Sequence, residues 1–534
     1  MPLLILSLLC LLSPLLLSAQ TGSVSGRVVD DVDGEAIPGA TVGMMPVEST
    51  EAIFGDATDV DGFYRIVDLP SGTYRLVITS IGYDEYTLDS LVIEPGAELT
   101  RDIRLDEVDY LSDQIIVTAS RREEKATRAP ASTSVVTSEE IERKNALSTA
   151  DYVREVGGLD VVQGGLSQNT VVARGFNNAF SGSLTTITDY RFAALPSLRY
   201  NGTYFIPLVN EDIRQIEVVR GPGSALYGPN ASNGVLHMIS RSPLVSSGTW
   251  LSIAGGERDM LQGMARHSGK IGEKVGYKIS AQYMQGTDWG YNDPAEVQAR
   301  ADFIERSGIL PGNVPDSVLI GARDSAMQRA GGEARLDWLI GNDARMTVTT
   351  GLTLAINNTD ATGIGAAQAR NWQYWYHQVR FRWKDLFAQA FLNRSDAGDT
   401  YALRTGLPIV DRSTVLVGQV QNISRFSETF DLTYGIDAIL TTPVTDATVT
   451  GRNEEDDDIT ELGVYAQAQY NLLENLDIVG ALRVDQHSRI DDPILSPRAA
   501  VVWSPTSSGS FRATYNRAYS APSTNDLFLD VLAE

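Results

Sequence analysis

From Gly248 to the end of the chain, apolar and polar residues alternate in long segments. Between residues 275 and 283 the apolar side chains take the odd positions, whereas Lys278, Ser280 and Gln282 lie between them. The same period of two recurs at 346–356, 375–383, 462–470, 476–485 and 511–516. This period places the two kinds of side chain on opposite faces of a strand. Repeated strands of about ten residues, separated by turns, are typical of a transmembrane β-barrel.

The connections between these segments alternate in length. Short ones, at 471–475 and 504–509, fit the tight turns at one barrel end, and long ones, at 286–331 and 441–460, fit the loops at the other. After residue 20, no apolar run approaches the ~20 residues that a spanning helix needs. Insertion into a membrane would therefore require a closed barrel.

Aromatic residues on one face of the segment 375–383 predict a girdle where a barrel meets the membrane interface. They are Trp375, Phe381 and Trp383. For any strand taken alone, the alternative is the core of a water-soluble β-sandwich. The whole set favours the barrel, of which we count about a dozen strands between residues 245 and 534.

The acidic composition excludes one large class of function. The net charge is −25 and the sequence pI is about 4.6. A nucleic-acid-binding surface needs clustered lysine and arginine, so no nucleic-acid partner is expected. The single cysteine, Cys10, excludes a disulfide framework and a cysteine-based metal site.

The chain opens with an apolar run that ends in small residues. Residues 3–17 are mostly leucine, and Ser18 and Ala19 follow them. This pattern predicts a secretory signal peptide at 1–19; a buried N-terminal helix is the alternative.

Short strands separated by Asp-Gly and Ser-Gly turns occupy residues 22–105. The pieces Gly26-Arg27-Val28 and Leu69-Pro70-Ser71-Gly72 belong to a pattern that resembles the carboxypeptidase-regulatory-like β-sandwich. That module has no catalytic residues, so the resemblance implies no peptidase activity.

A strand at 213–219 is followed by Gly/Pro turns and a second apolar strand. This stretch resembles the plug domain of TonB-dependent outer-membrane receptors, and an unrelated soluble α/β loop is the alternative. The matching motif residues, together with a preceding Arg-Gly pair, are Arg174, Gly175, Glu217, Arg220, Gly221, Pro222, Tyr227, Gly228, Asn233 and Gly234. His237 stands where the family usually has Asn.

The resemblance assigns residues 120–244 to the plug domain. Two short helices are expected within it, one beginning after Thr137 and one capped by Ser148. In this family, arginines at positions such as Arg174 and Arg220 make ionic contacts with the barrel wall. Solvated surface arginine is the alternative for both.

The linker at 106–119 contains a short, extended, β-branched stretch that resembles the TonB box. Its residues are Gln114, Ile115, Ile116, Val117, Thr118 and Ala119. A free strand offers unpaired backbone groups to the edge of a partner's sheet. An ordinary first strand of the plug is the alternative.

No pattern supports catalysis, so the protein is not expected to be an enzyme or to carry a cofactor. The four histidines are dispersed, and no nucleophile elbow occurs. A run of five acids is a weak candidate for a divalent cation site. It comprises Glu454, Glu455, Asp456, Asp457 and Asp458, and a solvated loop is the alternative.

The resemblance implies a mainly β protein: an N-terminal β-sandwich, an α+β plug and an antiparallel transmembrane barrel of a ~22-stranded type. It places the barrel in the outer membrane of a Gram-negative-type bacterium, among lipid and lipopolysaccharide, with the plug and N-terminal domain facing the periplasm. The expected partners are TonB, with ExbB and ExbD, and an extracellular small ligand.

The resemblance favours a ferric siderophore or similar metal chelate as the ligand. Glycans, cobalamin or peptides, an adhesion protein and a signal-transducing receptor are the alternatives. Because residues 245–534 hold about a dozen strands, and the family's barrel motif at 516–522 lies close to the end, we expect a C-terminally truncated receptor.

Overall fold

The structure is a computed structural model, in which the chain forms two compact units, Met1–Tyr110 and Leu111–Glu534. The described residues are 21–31, 34–47, 54–80, 83, 86–105, 115–116, 118, 121, 124–144, 146–177, 184–362, 365–506 and 509–531. The predicted signal peptide lies outside them. Among the described residues, no helix is both long enough and apolar enough to cross a membrane.

The first unit contains eight strands in two four-stranded sheets. They are β1 Gly22–Asp30, β2 Thr41–Pro46, β3 Phe54–Ala57, β4 Phe63–Leu69, β5 Gly72–Thr79, β6 Tyr86–Ile93, β7 Glu98–Thr100 and β8 Ile103–Leu105. One sheet has the order β4-β1-β7, with β8 also paired to β1, and the other has the order β3-β2-β5-β6. Val24 and Val28 of the first sheet pack in one core with Met44 and Leu76 of the second. The predicted β-sandwich is confirmed.

The plug domain is built on a five-stranded mixed sheet of order β11-β16-β17-β14-β15. Its strands, and those beside it, are β9 Ile115–Ile116, β10 Glu124–Lys125, β11 Ser132–Thr137, β12 Leu159–Gln163, β13 Asn169–Ala173, β14 Leu184–Thr188, β15 Arg191–Phe192, β16 Ile213–Arg220 and β17 Gly234–Ser240. The two apolar strands predicted around the Gly/Pro turns are β16 and β17, and they pair antiparallel at the centre of the sheet.

The plug helices are short; the first two begin where the sequence predicts, and the third lies in a stretch predicted to be a turn. They are α1 Ser138–Arg143, α2 Thr149–Tyr152 and α3 Ser224–Tyr227, with 3-10 turns at Ala126–Arg128, Thr203–Phe205 and Asn210–Asp212. Thr137 and Glu140 form a capping box on α1, and Ser148 and Asp151 form one on α2. Each box satisfies backbone N–H groups that the first helical turn leaves without a partner.

The remaining strands form one fourteen-stranded antiparallel sheet, which we call the barrel sheet. They are β18 Gly248–Gly256, β19 Met260–Ile271, β20 Val275–Thr287, β21 Ala326–Ile340, β22 Ala344–Thr362, β23 Gly365–Trp383, β24 Leu386–Asp396, β25 Tyr401–Ala402, β26 Thr414–Arg425, β27 Phe430–Thr442, β28 Ile459–Leu473, β29 Leu476–His487, β30 Ile494–Trp503 and β31 Phe511–Asn516. Thirteen follow one another in chain order, and β25 pairs only with β23, which agrees with the predicted dozen.

Polar side chains of the barrel sheet are buried and apolar ones are exposed, the reverse of a water-soluble core. On β20, Lys278 is 0% exposed and Ser280 is 3% exposed, whereas Ile279 between them is 58% exposed. On β22, Thr347 and Thr349 are buried and Val348 is exposed. This is the arrangement of a barrel whose outer face meets lipid, so the predicted barrel is confirmed as the fold.

The two ends of the barrel sheet differ, as predicted. Tight connections at 341–343 and 384–385 define what we call the short-turn end. At the other end, the predicted loop 286–331 is shorter than expected, because β20 continues to Thr287 and β21 begins at Ala326. This loop carries α4 Pro294–Ser307, and the last helix is α5 Thr524–Phe528; 3-10 turns lie at Pro311–Asn313 and Gly451–Asp456.

Exposed aromatic residues lie next to the short turns. Trp338, Trp383 and Trp503 are each about half exposed near the ends of β21, β23 and β30. Their position is the one that the predicted interfacial girdle requires.

Candidate functional site

Three of the predicted TonB-box residues, Ile115, Ile116 and Thr118, are described, and they lie within the plug domain. Ile115 and Ile116 form β9, which pairs antiparallel with β10. The Ile116 side chain is fully buried in a cluster with Leu226, Tyr227 and Val235. Gln114, Val117 and Ala119 lie outside the described residues. The described part of the segment is therefore packed into the plug.

Thr118 is held by two side chains of the central strands. Its backbone N–H donates to Glu217 Oε2 at 2.8 Å, and its Oγ1 lies 2.9 Å from His237 Nδ1. The other carboxylate oxygen of Glu217 accepts from Gln215 Nε2 at 2.6 Å. Glu217 and His237 are both buried, so these bonds form away from competing water.

The contacts of His237 assign its neutral tautomer. The Tyr190 N–H donates to Nε2 at 3.3 Å, which makes Nε2 an acceptor. Nδ1 then carries the proton and donates to Thr118 Oγ1. Burial lowers the pKa of His237 from its ordinary value of 6.5, although the carboxylates of Glu217 and Asp189 oppose this shift. The ring is accordingly neutral near pH 7.

The motif glycines permit close approaches that a side chain would block. Gly234 has φ +148°, and a Cβ there would lie 2.1 Å from the Val219 carbonyl oxygen. Gly228 has φ +75°, and its Cβ would lie 2.8 Å from Arg483 Nη2 on the barrel sheet. Tyr227, just before it, packs its ring against the guanidinium of Arg121, 4.6 Å from ring centre to Cζ.

The remaining motif residues come from three parts of the chain and lie together within the plug. The Gly221 N–H donates to the Asn233 carbonyl oxygen at 2.8 Å. Asn233 Nδ2 donates to the Arg174 carbonyl oxygen at 2.6 Å, and Gly175 follows with φ +128°. Pro222 continues the turn between β16 and α3. These contacts bring the Arg-Gly pair and the Gly-Pro turn together.

Among the described residues, Arg220 does not form the expected ionic contact with the barrel wall. Its guanidinium donates to Ser132 Oγ, at 3.0 Å, and to the Gly157 carbonyl oxygen, at 2.6 Å, both within the plug. The guanidinium of Arg174 lies beside Gly221 of the plug, and its backbone carbonyl oxygen accepts a hydrogen bond from Asn233 Nδ2. Because Ser132 and Gly157 offer acceptors within hydrogen-bond distance, the Arg220 side chain turns inward.

Other charged residues connect the plug to the barrel wall. Asp212 of the plug, fully buried, accepts from Arg266 Nε at 2.7 Å and from Lys278 Nζ. Arg199 of the plug pairs with Glu461 of β28. Charged residues on the inward face of an alternating strand, such as Lys278, are the sequence signal for these contacts.

Asp189 and Arg191 anchor a second part of the interface. Asp189 pairs with Arg335 of β21 at 3.1 Å; burial opposes its ionisation, but Arg335, Arg380 and Lys278 outweigh this and hold its pKa well below the ordinary value. Arg191 Nη1 donates to Tyr374 OH at 2.6 Å and to Asn393 Oδ1 at 3.1 Å.

The five acids of the long loop at 443–458 do not converge. Glu454 accepts backbone and hydroxyl hydrogen bonds from Thr445 and a hydroxyl bond from Thr450, which organises the loop itself. Arg489 pairs with Asp456 at 3.0 Å. Among the described residues, no group of three or more His, Cys, Asp or Glu is arranged to hold a metal ion.

Comparison with known proteins identifies the domains. Residues 23–106 match the carboxypeptidase regulatory-like domain, residues 125–235 the TonB-dependent receptor plug domain, and residues 276–531 the TonB dependent receptor-like β-barrel. The three domains follow one another in the predicted order.

Individual relatives match over shorter stretches. The vitamin B12 transporter BtuB of Vibrio vulnificus (strain CMCP6) is 34% identical over 148 residues, which cover 27% of this chain and 23% of the relative. BtuB of Photobacterium profundum is 34% identical over 180 residues, 33% of this chain and 28% of the relative. The match thus spans less than a third of these curated relatives.

Solved structures share the fold at low identity. The FrpB iron transporter from Neisseria meningitidis (F5-1 variant) superposes with a TM-score of 0.55 at 18% identity, covering 73% of this chain and 64% of that chain. The siderophore receptor PirA from Pseudomonas aeruginosa gives a TM-score of 0.51 at 16% identity, covering 74% and 63%. The plug and barrel models together match more than half of the sequence, and the chain belongs to the TonB-dependent receptor family.

Proposed function

We propose that this protein is an outer-membrane importer of a scarce metal chelate, powered through TonB, ExbB and ExbD. The observation that carries the proposal is the packing of the box candidate, in which Ile116 is buried beside Leu226 and Tyr227 and Thr118 is hydrogen-bonded to Glu217 and His237 of the central plug strands. The described contacts are local to this segment and to the face of β16 and β17 that it covers, so we infer that it can be displaced without unfolding the plug.

Strand addition is the proposed mode of coupling. β9 is two residues long, and its described partner is the two-residue β10. Its replacement by the edge of a TonB sheet would exchange one short ladder for another, so the energetic cost is small. A pull on this segment would reach β16 and β17 directly through Glu217 and His237.

The polarity of the barrel sheet supports a placement in the outer membrane. The apolar outer face would contact lipid, the loop end would face the medium beside lipopolysaccharide, and the short-turn end would face the periplasm. A ligand captured at the loop end would be excluded by the plug until the box is pulled.

The preferred ligand is a ferric siderophore, because the structures that share the fold include an iron transporter and a siderophore receptor by name. Cobalamin is the second candidate, since the sequence relatives are named vitamin B12 transporters. Both ligands are large metal chelates that a plugged barrel would have to admit without leaking smaller solutes.

The test compares uptake of a radiolabelled ferric siderophore and of radiolabelled cyanocobalamin in cells producing the intact chain or a variant lacking residues 113–119. We expect uptake of one ligand, lost in the deletion variant while surface binding persists. Binding without uptake by the intact chain would favour an adhesion protein. Abundance that does not rise on iron starvation would argue against the siderophore and towards cobalamin, glycans or peptides.

A further inference from the structure

On the outward face of the barrel sheet, a row of apolar side chains gives way in one step to a row of polar ones. The register of β24, β26 and β27 places their paired residues side by side, so that they form rows across the strands. One row consists of Leu392, Leu416 and Leu440. The next outward row, further from the short-turn end, consists of Arg394, Thr414 and Thr442. The apolar part of this surface therefore ends at a defined level.

Arg394 faces outward because its two neighbours in β24 face inward. Asn393 and Ser395 are both 0% exposed. Asn393 Oδ1 accepts a hydrogen bond from Arg191 of the plug, at 3.1 Å. Successive side chains of a strand point to opposite faces, so Arg394 lies on the side that meets lipid. The outward residues of β24 between the short turn and Arg394 are all apolar, namely Leu386, Ala388, Ala390 and Leu392.

The guanidinium of Arg394 contacts an aromatic ring but no acid. Arg394 pairs across the strands with Trp375 of β23, and its Cζ lies 5.6 Å from the ring centre. Among the described residues, no carboxylate forms an ion pair with Arg394 and no acceptor is hydrogen-bonded to its guanidinium. The nearby acids are engaged elsewhere, since Asp396 accepts from the Gly398 N–H at 3.1 Å and Asp446 pairs with Arg412. A cation on a surface that meets lipid is thus left without an anion from the described part of the chain.

The height of Arg394 along the barrel is that of a membrane interface. Trp383, beside the short turn, and Trp375 lie on the same face of β23, eight positions apart. Eight residues of a strand span about 26 Å, which is about 20 Å along the barrel axis at a tilt of about 40°. The apolar band of such barrels is about 25 Å tall and has aromatic residues at both edges. Trp375 and Arg394 therefore lie near the edge of the band that is remote from the short turns.

A guanidinium at this level has a matching partner in the headgroup of a lipid. An arginine on the lipid face of a barrel is least costly near the interface, where headgroups carry phosphate. A guanidinium binds phosphate through two parallel hydrogen bonds. The hydroxyl of Thr414, which lies directly across from Arg394, can donate a third. The indole of Trp375 suits the same level, because tryptophan gathers at membrane interfaces.

We propose that Arg394, Thr414 and Trp375 form a binding site, on the outward face of the barrel sheet, for the phosphate of a membrane lipid. The lipid is bound from outside the barrel, so the site is separate from the path of an imported ligand. Its assignment to the outer leaflet, where lipopolysaccharide supplies the phosphate, rests on the proposed function. The recognition of a lipid phosphate does not.

The test measures binding of lipid A to the purified chain in a nonionic detergent, by native mass spectrometry over a range of lipid concentrations. Lipid A that carries its phosphates is compared with the same lipid after the phosphates are removed. We expect the parent to prefer the phosphorylated lipid, and Arg394→Gln to bind it at least about tenfold more weakly. The phosphate-free lipid should bind equally to the parent and to Arg394→Gln. The control Arg306→Gln removes an exposed arginine of α4, away from the strands, and should bind both lipids as the parent does.

Equal binding of the two lipids by the parent overturns the proposal, as does a loss of equal size in the control. Displacement of lipid A by millimolar inorganic phosphate would assign the site to the free ion and reject the lipid. Thermal unfolding of each variant establishes that it is folded, and the comparison of the two lipids on the parent needs no variant. A preference for the phosphorylated lipid without chelate uptake would leave this site standing and reject the import function, and uptake without that preference would do the reverse.

Discussion

The buried carboxylate of Glu217 is the clearest point at which to loosen the box candidate. Its two oxygens accept from two different donors, the Thr118 N–H at 2.8 Å and Gln215 Nε2 at 2.6 Å. In Glu217→Gln the side chain keeps its shape but has one acceptor oxygen and one amino group. The amino group must face one of the two donors, so at least one of these hydrogen bonds is lost.

The expected magnitude follows from this geometry. A buried donor left without a partner costs about 1–3 kcal/mol, and replacement of a charged acceptor by a neutral one weakens the surviving bond. Since about 1.4 kcal/mol corresponds to a factor of ten, opening of the segment should become about 5-fold to 150-fold more frequent.

Amide hydrogen exchange at residues 115–121, followed by mass spectrometry on the purified protein, measures this opening directly. The control Glu139→Gln removes an exposed carboxylate of α1 and should leave the exchange unchanged. Exchange in Glu217→Gln that stays within about twofold of the parent would refute the role assigned to Glu217.

Three further predictions test other parts of the plug. The folded pKa of His237 lies below its ordinary 6.5, so its contribution to stability is present above that pH and is lost as the pH falls through the lower folded value. Acid should therefore speed amide hydrogen exchange at Thr118, after correction for the intrinsic exchange rate. His237→Asn should abolish this dependence on pH. Burial raises the pKa of Glu211 from 4.5 to about 7, so its contribution is complete below 4.5 and is lost as the pH rises through about 7. Glu211→Gln should accordingly unfold at the same temperature as the parent at pH 4. At pH 8 it should be more stable than the parent by about 1 kcal/mol, after allowance for solvent screening. A gain in stability that is already present at pH 4 would contradict this. Gly234→Ala places a Cβ against the Val219 carbonyl oxygen and should sharply reduce the amount of protease-resistant protein in the membrane, whereas Gly157→Ala, with open space around its Cβ, should not.

The architecture could be predicted from the sequence because the signals for it, strand alternation and helix capping, act between neighbouring residues. The alternation around Lys278 reports which face of one strand is buried, and the capping boxes at Thr137 and Ser148 satisfy the first turns of their own helices. The plug motif is likewise a run of neighbouring residues. The fold class, the order of domains and the number of strands needed no knowledge of distant contacts.

The partners across the plug–barrel interface were decided by the tertiary structure. Asp212 meets Lys278 across 66 positions of the chain, and Arg191 meets Asn393 across 202. Among the described residues, Arg220 does not form its expected ionic contact, because an acceptor within the plug, the Gly157 carbonyl oxygen, binds its guanidinium. Such pairings depend on how the plug is seated inside the barrel sheet.

The sequence by itself determined what each segment can form: strands with one polar face, short capped helices, and turns that only glycine allows. Tertiary structure alone decided which charged groups meet and which segment is buried against Glu217. The physical reason is the distance along the chain over which each kind of interaction acts. Periodicity and capping act over a few residues, whereas ion pairs and cavities depend on the register of strands and on domains that are distant in the chain.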